Sequence, residues 1–322
     1  MDKIKIGVIG AGSMGRNHLR VLSEIPAFEL AGLYDTNAEN AYKAAQDYRT
    51  SAFSSLHDLL KAVDAVSVAA PSSRHAEIAV EAAAMGRHIL VEKPVALNTT
   101  DACHIIEACN KANVTLMVGH IERFNPVFIE LLKVLEKEHI LALRFCRLSP
   151  YDPRTADANV IQDLMIHDVD LLCALTGAPE TRIVSQGISV YSGKPDHVQA
   201  LAEMGNGIVA SLTASRITES KVRRIEVTAQ NAYIVANLLD RSLEIMRQTR
   251  FLPGVERSMT YCQENVVEKI FVPMSEPLRS ELTHFAECVS TGTRPNTDGE
   301  SALKALRICE LIIAGLQTGD KA

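Results

Sequence analysis

Three glycines within six residues, Gly10-Ala11-Gly12-Ser13-Met14-Gly15, constrain this chain more than any other segment. They follow directly on Ile4-Lys5-Ile6-Gly7-Val8-Ile9, which reads as a strand, and they precede residues 18–25, which read as the body of a helix. A strand, a glycine turn and a helix in that order open a βαβ unit. The first glycine permits the tight turn, the second lets main chain approach a pyrophosphate, and the third lets the helix pack close to the strand. The helix N-terminus, with its unpaired N–H groups, then faces the phosphates.

The next hundred residues repeat the alternation. Phe28–Tyr34 reads as a second strand and Ala38–Tyr48 as an Ala-rich helix. Residues 65–70 form an almost continuous apolar strand stopped by Pro71, and residues 75–85 a helix closed by Gly86. Residues 88–91 and 114–118 supply two more strands around a helix at 100–111. Strands without polar alternation, each followed by a helix, predict a parallel sheet covered on both faces, a doubly wound α/β domain. Asp35 closes the second strand, 20 positions past Gly15. An acidic side chain there accepts hydrogen bonds from the adenosine ribose and repels a 2′-phosphate. Thr36 and Asn37 follow it, with no arginine to pair such a phosphate, so the reading is NAD rather than NADP.

Beyond about residue 120 the pattern changes. A helix at 127–138, a strand at 141–148, a loop through Pro150, Asp152 and Pro153 and a helix near 160–175 lead into strand-like text from 183 to 246. Gly205-Asn206-Gly207 marks a hairpin turn within it. Helices at 278–289 and 302–316 end the chain. The expectation is two domains: 1–120, a nucleotide-binding parallel sheet, and 121–322, an α+β domain with a large, mostly antiparallel open sheet for substrate binding and oligomerisation. The C-terminal helix is expected to pack back on the first domain.

Two further groups carry chemistry. Glu92-Lys93-Pro94 stands just past the strand at 88–91. Ligands of open α/β sheets bind beyond the carboxyl ends of the strands, so a lysine there can hydrogen-bond a substrate hydroxyl, although a lysine after a strand is often a solvated surface group. Asp163, His167 and Asp170, spaced four and three apart, share one face of a helix. Such a face suits an acid/base pair, a surface ion pair, or ligands of a divalent metal.

Composition narrows the function classes. The chain carries 33 Lys and Arg against 39 Asp and Glu, a net charge of −6, a poor match for nucleic acid or anionic lipid. No apolar run approaches the roughly 18 residues a membrane span needs, and the N-terminal residues do not form a signal peptide. Seven scattered cysteines without a Cys-x-x-Cys argue against a disulfide framework or zinc knuckle and for a reducing cytoplasm.

Taken together, the motifs resemble the Gfo/Idh/MocA family of nicotinamide-dependent sugar and polyol oxidoreductases along essentially the whole chain. The glycine fingerprint stands at 10–15, Glu-Lys-Pro at 92–94, Asp-x-x-x-His-x-x-Asp at Asp163, His167 and Asp170, and Pro-x-x-x-His at Pro71 and His75. Pro277-Leu278 with Glu281-Leu282 matches the terminal pattern. The resemblance implies a Rossmann domain and a catalytic group of Lys93, Asp163 and His167. It also implies that Glu92 and His75 approach the nicotinamide end, that Lys93–Pro94 is cis, and that no metal takes part. The cofactor-binding set is Gly10, Gly12, Ser13, Met14, Gly15, Asp35, Thr36, Asn37, Pro71, Ser72, His75, Glu92, Lys93 and His120. Within the family, residues 119–126 and 163–171 look most similar to UDP-N-acetylglucosamine 3-dehydrogenases. On that basis Lys93, Glu122, Arg123, Asn125, Arg154, Asp163 and His167 form the substrate-binding set. The chain departs from the family at Met165, where a glycine is usual, and at Ala156-Asp157-Ala158-Asn159, in place of a glycine-rich run.

The expected activity is NAD-dependent oxidation of the 3-hydroxyl of UDP-N-acetylglucosamine. The alternatives are a dehydrogenase of a free sugar or inositol, an NAD-dependent glycosidase, and an NAD-binding redox sensor without turnover. The expected partners are a small sugar or nucleotide sugar and further copies of the chain, a homodimer or homotetramer through the C-terminal sheet, with no nucleic acid and no membrane.

Overall fold

A computed structural model of the chain describes residues 3–152, 159–191, 193–248 and 265–318. Its contacts divide the chain into two compact units, Met1–Phe124 with Ser275–Glu310, and Asn125–Met274 with Leu311–Ala322.

The first unit is built on a six-stranded parallel sheet of β1 (Ile4–Ile9), β2 (Phe28–Tyr34), β3 (Ser51–Ala52), β4 (Ala65–Val68), β5 (His88–Glu92) and β6 (Leu116–Gly119). The strand order β3-β2-β1-β4-β5-β6 is that of a Rossmann fold. Helices α1 (Ser13–Leu22), α2 (Ala38–Tyr48), α3 (Leu56–Ala62), α4 (His75–Ala84) and α5 (Thr99–Ala112) alternate with the strands. The side chains of Asn37 and Asn98 cap α2 and α5, Asn37 accepting the Glu39 and Asn40 N–H groups and Asn98 that of Asp101.

The second unit centres on β7 (Ile140–Leu148), preceded by α6 (Pro126–Leu135) and followed by a π-helical turn, Ile161–Met165, that runs into α7 (Ile166–Thr176). Its remaining strands are β8 (Glu180–Ile188), β9 (His197–Met204), β10 (Val209–Ser215), β11 (Val222–Ala229), β12 (Tyr233–Asn237), β13 (Ser242–Gln248), β14 (Asn265–Ile270) and β15 (Gln317–Thr318). They form a nine-stranded sheet, β14-β13-β12-β11-β7-β10-β9-β8-β15. The sheet is mostly antiparallel, with parallel pairing where β10 meets β7 and where β15 meets β8. Along β7, Leu143, Phe145 and Arg147 are buried, while Ala142, Arg144 and Cys146 between them are not. This period of two is that of a sheet packed on one face only.

Two last helices, α8 (Pro277–Thr291) and α9 (Gly299–Ala314), complete the chain, and α8 with α9 as far as Glu310 belongs to the first unit. Their packing explains why. One core sets Val66, Val68, Ile89, Val91 and Val118 against α4, α5 and Ala302 and Leu306 of α9. The opposite face sets Ile6, Val8, Leu33, Leu90 and Met117 against α1, α2 and Leu278, Leu282 and Phe285 of α8. Successive residues of one strand point to opposite faces, so a sheet covered twice needs apolar residues at every position. No helix among the described residues is long and apolar enough to cross a membrane.

Candidate active site

The glycine loop joins β1 to α1, and its three glycines meet different surroundings. Gly10 has φ +101°, and a Cβ on it would lie 2.6 Å from the Ala69 carbonyl oxygen. A Cβ on Gly15 would lie 1.9 Å from the Gly10 carbonyl oxygen, so only glycine allows this close approach of α1 to the loop. Gly12 is different: a Cβ there would meet nothing within 4 Å. Gly12 also occupies the N-cap of α1, where no side chain caps the helix and the first turn carries no acidic residue. Its N–H groups and positive dipole end therefore stand open to an anion. Ser13 is exposed and Met14 half-buried in that first turn. At the end of β2, Asp35 Oδ2 accepts the Ala11 N–H at 2.6 Å and Oδ1 accepts the Asn37 N–H at 2.8 Å. The carboxylate is fixed between loop and strand, and each oxygen keeps a further lone pair for a hydroxyl. Thr36 is exposed, while the Asn37 side chain is spent on capping α2.

At and beyond the carboxyl ends of β4 and β5 lie Pro71, Ser72, His75, Glu92, the last residue of β5, and Lys93. The His75 imidazole is buried, with Nδ1 2.8 Å from the Pro94 carbonyl and Nε2 2.9 Å from the Ala70 carbonyl. Burial lowers its pKa against the pull of those carbonyls and of Glu92. Pro71 is exposed, Ser72 and Lys93 are half-buried, and the Lys93–Pro94 peptide bond is cis. Glu92 is buried, its Oε1 2.9 Å from His18 Nε2 and its Oε2 accepting the Lys93 N–H at 3.2 Å. His18 Nδ1 in turn lies 2.7 Å from Ser67 Oγ. Burial pushes the Glu92 carboxyl up, but the His18 hydrogen bond and the charges of His18 and Lys93 outweigh it and hold the group below its ordinary value. After β6, His120 is buried, and a 3₁₀ turn, Ile121–Phe124, carries buried Glu122 and half-buried Arg123.

In the second unit Asn125 caps α6, accepting the Val127 N–H at 3.0 Å. Asp163 and His167 are both half-buried, but they do not sit on one continuous α-helix. Asp163 lies in the π-helical turn and His167 in the first turn of α7. A π-turn winds more loosely than an α-turn, so the expected α-helical alignment of the two is altered. Asp168 and Asp170 are buried, and Asp168 is bonded to Arg147 of β7. Arg154 lies outside the described residues.

Comparison with known proteins places the chain in a family. Residues 4–120 match the oxidoreductase family with an NAD-binding Rossmann fold named Gfo/Idh/MocA, and residues 144–235 match the C-terminal domain of the same family. UDP-N-acetylglucosamine 3-dehydrogenase of Acidithiobacillus ferrooxidans is 37% identical over 310 residues, 95% of either chain. The chain belongs to the Gfo/Idh/MocA family. A solved structure of that Acidithiobacillus enzyme superposes with a TM-score of 0.90 over 98% of both chains. A myo-inositol 2-dehydrogenase of Thermotoga maritima is 25% identical over 94% of this chain and 93% of its own.

As a Gfo/Idh/MocA oxidoreductase the protein binds NAD in its Rossmann domain. The first unit fits that cofactor: open space at Gly12, an uncapped helix terminus and an immobilised Asp35 lie together at the carboxyl ends of β1 and β2. Three side chains carry no sequence signal of their contacts or only a weak one: His18 and Ser67 of the first unit and Arg147 of the second. His18 and Ser67 bond across 49 residues and His18 and Glu92 across 74, separations at which no local pattern signals a contact. Arg147, two positions along the alternation from Phe145, gave a weaker signal as a charge on the apolar face of a strand.

Proposed function

We propose that this protein oxidises the 3-hydroxyl of UDP-N-acetylglucosamine to a ketone, with NAD as acceptor. The observation that carries the reading is the 37% identity over 95% of both chains to an enzyme of that name. NAD, when bound, supplies the hydride acceptor. His167 takes the hydroxyl proton, which must leave as the carbinol C–H transfers its hydride, and an imidazole suits that role near neutrality. Lys93 donates a hydrogen bond to the same oxygen as it gains alkoxide character. Asp163 orients the imidazole and favours its protonated form. Glu122, Arg123, Asn125 and Arg154 complete the substrate-binding set, and Pro71, Ser72, His75, Glu92 and His120 that of the cofactor.

The test is a panel of UDP-sugars, free sugars and inositols scored for NADH absorbance. Net NADH with UDP-N-acetylglucosamine above all others is the expected result. Turnover confined to an inositol would move the protein toward its polyol-oxidising relatives, and glycoside cleavage without net NADH would make it a glycosidase.

The open face of the nine-stranded sheet supports a homodimer or homotetramer. Val184, Leu201, Val209 and Tyr233 are exposed on it, large apolar side chains among polar ones that a second copy would cover. Light scattering at micromolar concentration tests this, and a monomer refutes it. Seven scattered cysteines without a Cys-x-x-Cys support a cytoplasmic protein.

A further inference from the structure

Ser67, His18 and Glu92 meet inside the first unit from β4, α1 and β5, and the proposed reaction uses neither Ser67 nor His18. A hydroxyl, an imidazole and a carboxylate in that order are the parts of a nucleophilic triad. Burial excludes that use. Ser67 and His18 have 0% exposure, and every residue of β4 around Ser67 is buried, so no substrate reaches the hydroxyl.

The chain of contacts instead leads outward, to the end of β5. A carboxylate accepts hydrogen bonds and donates none, so His18 Nε2 carries the hydrogen and donates to Glu92 Oε1. Nδ1 is left to meet the Ser67 hydroxyl, which fixes the ring from its other side. Glu92 Oε2 takes the Lys93 N–H, so both carboxylate oxygens are tied. Gly119 of β6, paired with Glu92, leaves room for the carboxylate: a Cβ there would lie 3.1 Å from it. A buried carboxylate without such partners would take up a proton.

We propose that His18 is a positioning residue for Lys93, acting through Glu92. His18 keeps Glu92 ionised and in place, and Glu92 holds the main chain from which the Lys93 side chain leaves the strand. This rests on the reading that Lys93 acts on the substrate hydroxyl. Among the described residues, the titratable groups acting on Glu92 are His18 from α1, His75 from α4 and Lys93 beside it; β4 supplies the Ser67 hydroxyl to His18, and β6 brings no titratable side chain.

The full-length protein tests it with His18→Phe, His18→Gln and Gly119→Ala. The Glu92 carboxyl is followed by carbon NMR of glutamate-labelled protein, assigned with Glu92→Gln. The rate at which acetic anhydride acylates Lys93 is followed by mass spectrometry. Neither readout needs a substrate, so failure of every sugar overturns the substrate reading while these measurements still decide the positioning role. In His18→Phe, Glu92 takes up a proton near neutral pH and Lys93 acylation changes by about threefold or more, while His18→Gln, which keeps a donor, restores both. With the sugar substrate, His18→Phe lowers kcat by about tenfold and KM by less than about threefold in either direction, and costs little further in a Glu92→Gln background. Gly119→Ala, which crowds Glu92 without touching His18, reproduces the change at Lys93 and serves if His18→Phe does not fold. An ionised Glu92 and unchanged Lys93 acylation in His18→Phe, or unchanged acylation in Gly119→Ala, overturns the proposal.

Discussion

Arg147 donates two hydrogen bonds to a single oxygen of Asp168, from Nε at 3.0 Å and from Nη2 at 2.8 Å. The arginine belongs to the central strand of the nine-stranded sheet and the aspartate to the first turn of α7, next to His167. Both side chains are almost wholly buried. A helix can be held on a sheet by apolar contact alone, but apolar contact tolerates sliding. A buried charged pair does not, because displacing one partner leaves the other desolvated.

Asp168→Asn keeps the shape and removes the negative charge from this buried pair. The expected loss of stability is about 3–5 kcal/mol, measured by urea denaturation. A loss below about 1 kcal/mol, the size of an exposed pair, would show that water reaches this site.

Gly12 and Gly15 separate ligand from fold. At Gly15 an added Cβ falls 1.9 Å from main chain, so Gly15→Ala forces α1 away from the loop and lowers the melting temperature. At Gly12 the space is open and φ is −69°, a conformation alanine adopts freely. Gly12→Ala is expected to melt like the parent protein and yet bind NAD at least about tenfold more weakly by calorimetry, because its methyl group stands where the diphosphate approaches. Normal NAD affinity in Gly12→Ala would remove this loop from the cofactor site.

That contrast also marks what the sequence could tell. The glycine spacing, the apolar run before it and Asp35 beyond it form a local pattern, and local patterns survive translation into structure. Five of the six parallel strands were legible for the same reason, since each is a short apolar run with its own stop signal, whereas β3, the exposed pair Ser51 and Ala52, offers no such run. The C-terminal helix, α9, was expected on the first domain, but assignment of α8 to it was not readable from residue 277 onward, because what decides it is the fit of Leu278, Leu282 and Phe285 against a sheet face formed by strands far earlier in the chain. The parallel pairing of β10 with β7 was hidden likewise, by a partner 67 residues away in register. At Asp163 a helical period was read correctly as helix, but a π-turn has no signature in side-chain spacing over so few residues.

Asp35 has two tasks, holding the Ala11 N–H of the glycine loop and presenting oxygen lone pairs to a ribose. Asp35→Ala removes a charged acceptor from the loop and the repulsion felt by a 2′-phosphate. NAD affinity is expected to fall by roughly 10- to 100-fold, while NADP affinity falls less, narrowing the gap between the two. Calorimetry with both nucleotides measures it. NADP binding as tightly as NAD to the unaltered protein would refute the assignment of Asp35.

His75 carries a pH dependence whose sign follows from its burial. The folded protein holds its pKa below 6.5 because desolvation disfavours the imidazolium, whereas the unfolded chain protonates near 6.5. Below that pH the unfolded state binds the extra proton. Its contribution is therefore complete above the unfolded value and is lost as pH falls toward the folded one. Urea denaturation between about pH 7 and pH 5 should show stability falling with acidity, and His75→Gln should flatten part of that slope. An equal slope in the variant would place the proton uptake at another histidine, such as half-buried His88 or His284, whose pKa values desolvation also lowers.

The assignment of His167 as base and Lys93 as donor makes the most direct prediction for turnover. Oxidation of a secondary alcohol removes a hydride from carbon and a proton from oxygen, and loss of the hydride alone would leave a high-energy oxocarbenium ion. His167→Ala removes the proton acceptor, and Lys93→Ala removes the donor that stabilises the oxygen as charge develops. Each should lower kcat by about 100-fold or more, while NAD affinity stays within about threefold, because neither group is needed to hold the diphosphate or the adenosine. Asp163→Asn, which keeps a hydrogen-bonding group but loses the charge favouring imidazolium, should fall between these variants and the parent protein. Stopped-flow absorbance of NADH under single turnover isolates the chemical step from product release. Near-normal single-turnover rates in His167→Ala would shift the base to Lys93, and loss of NAD binding together with turnover would mean that His167 serves the cofactor rather than the sugar.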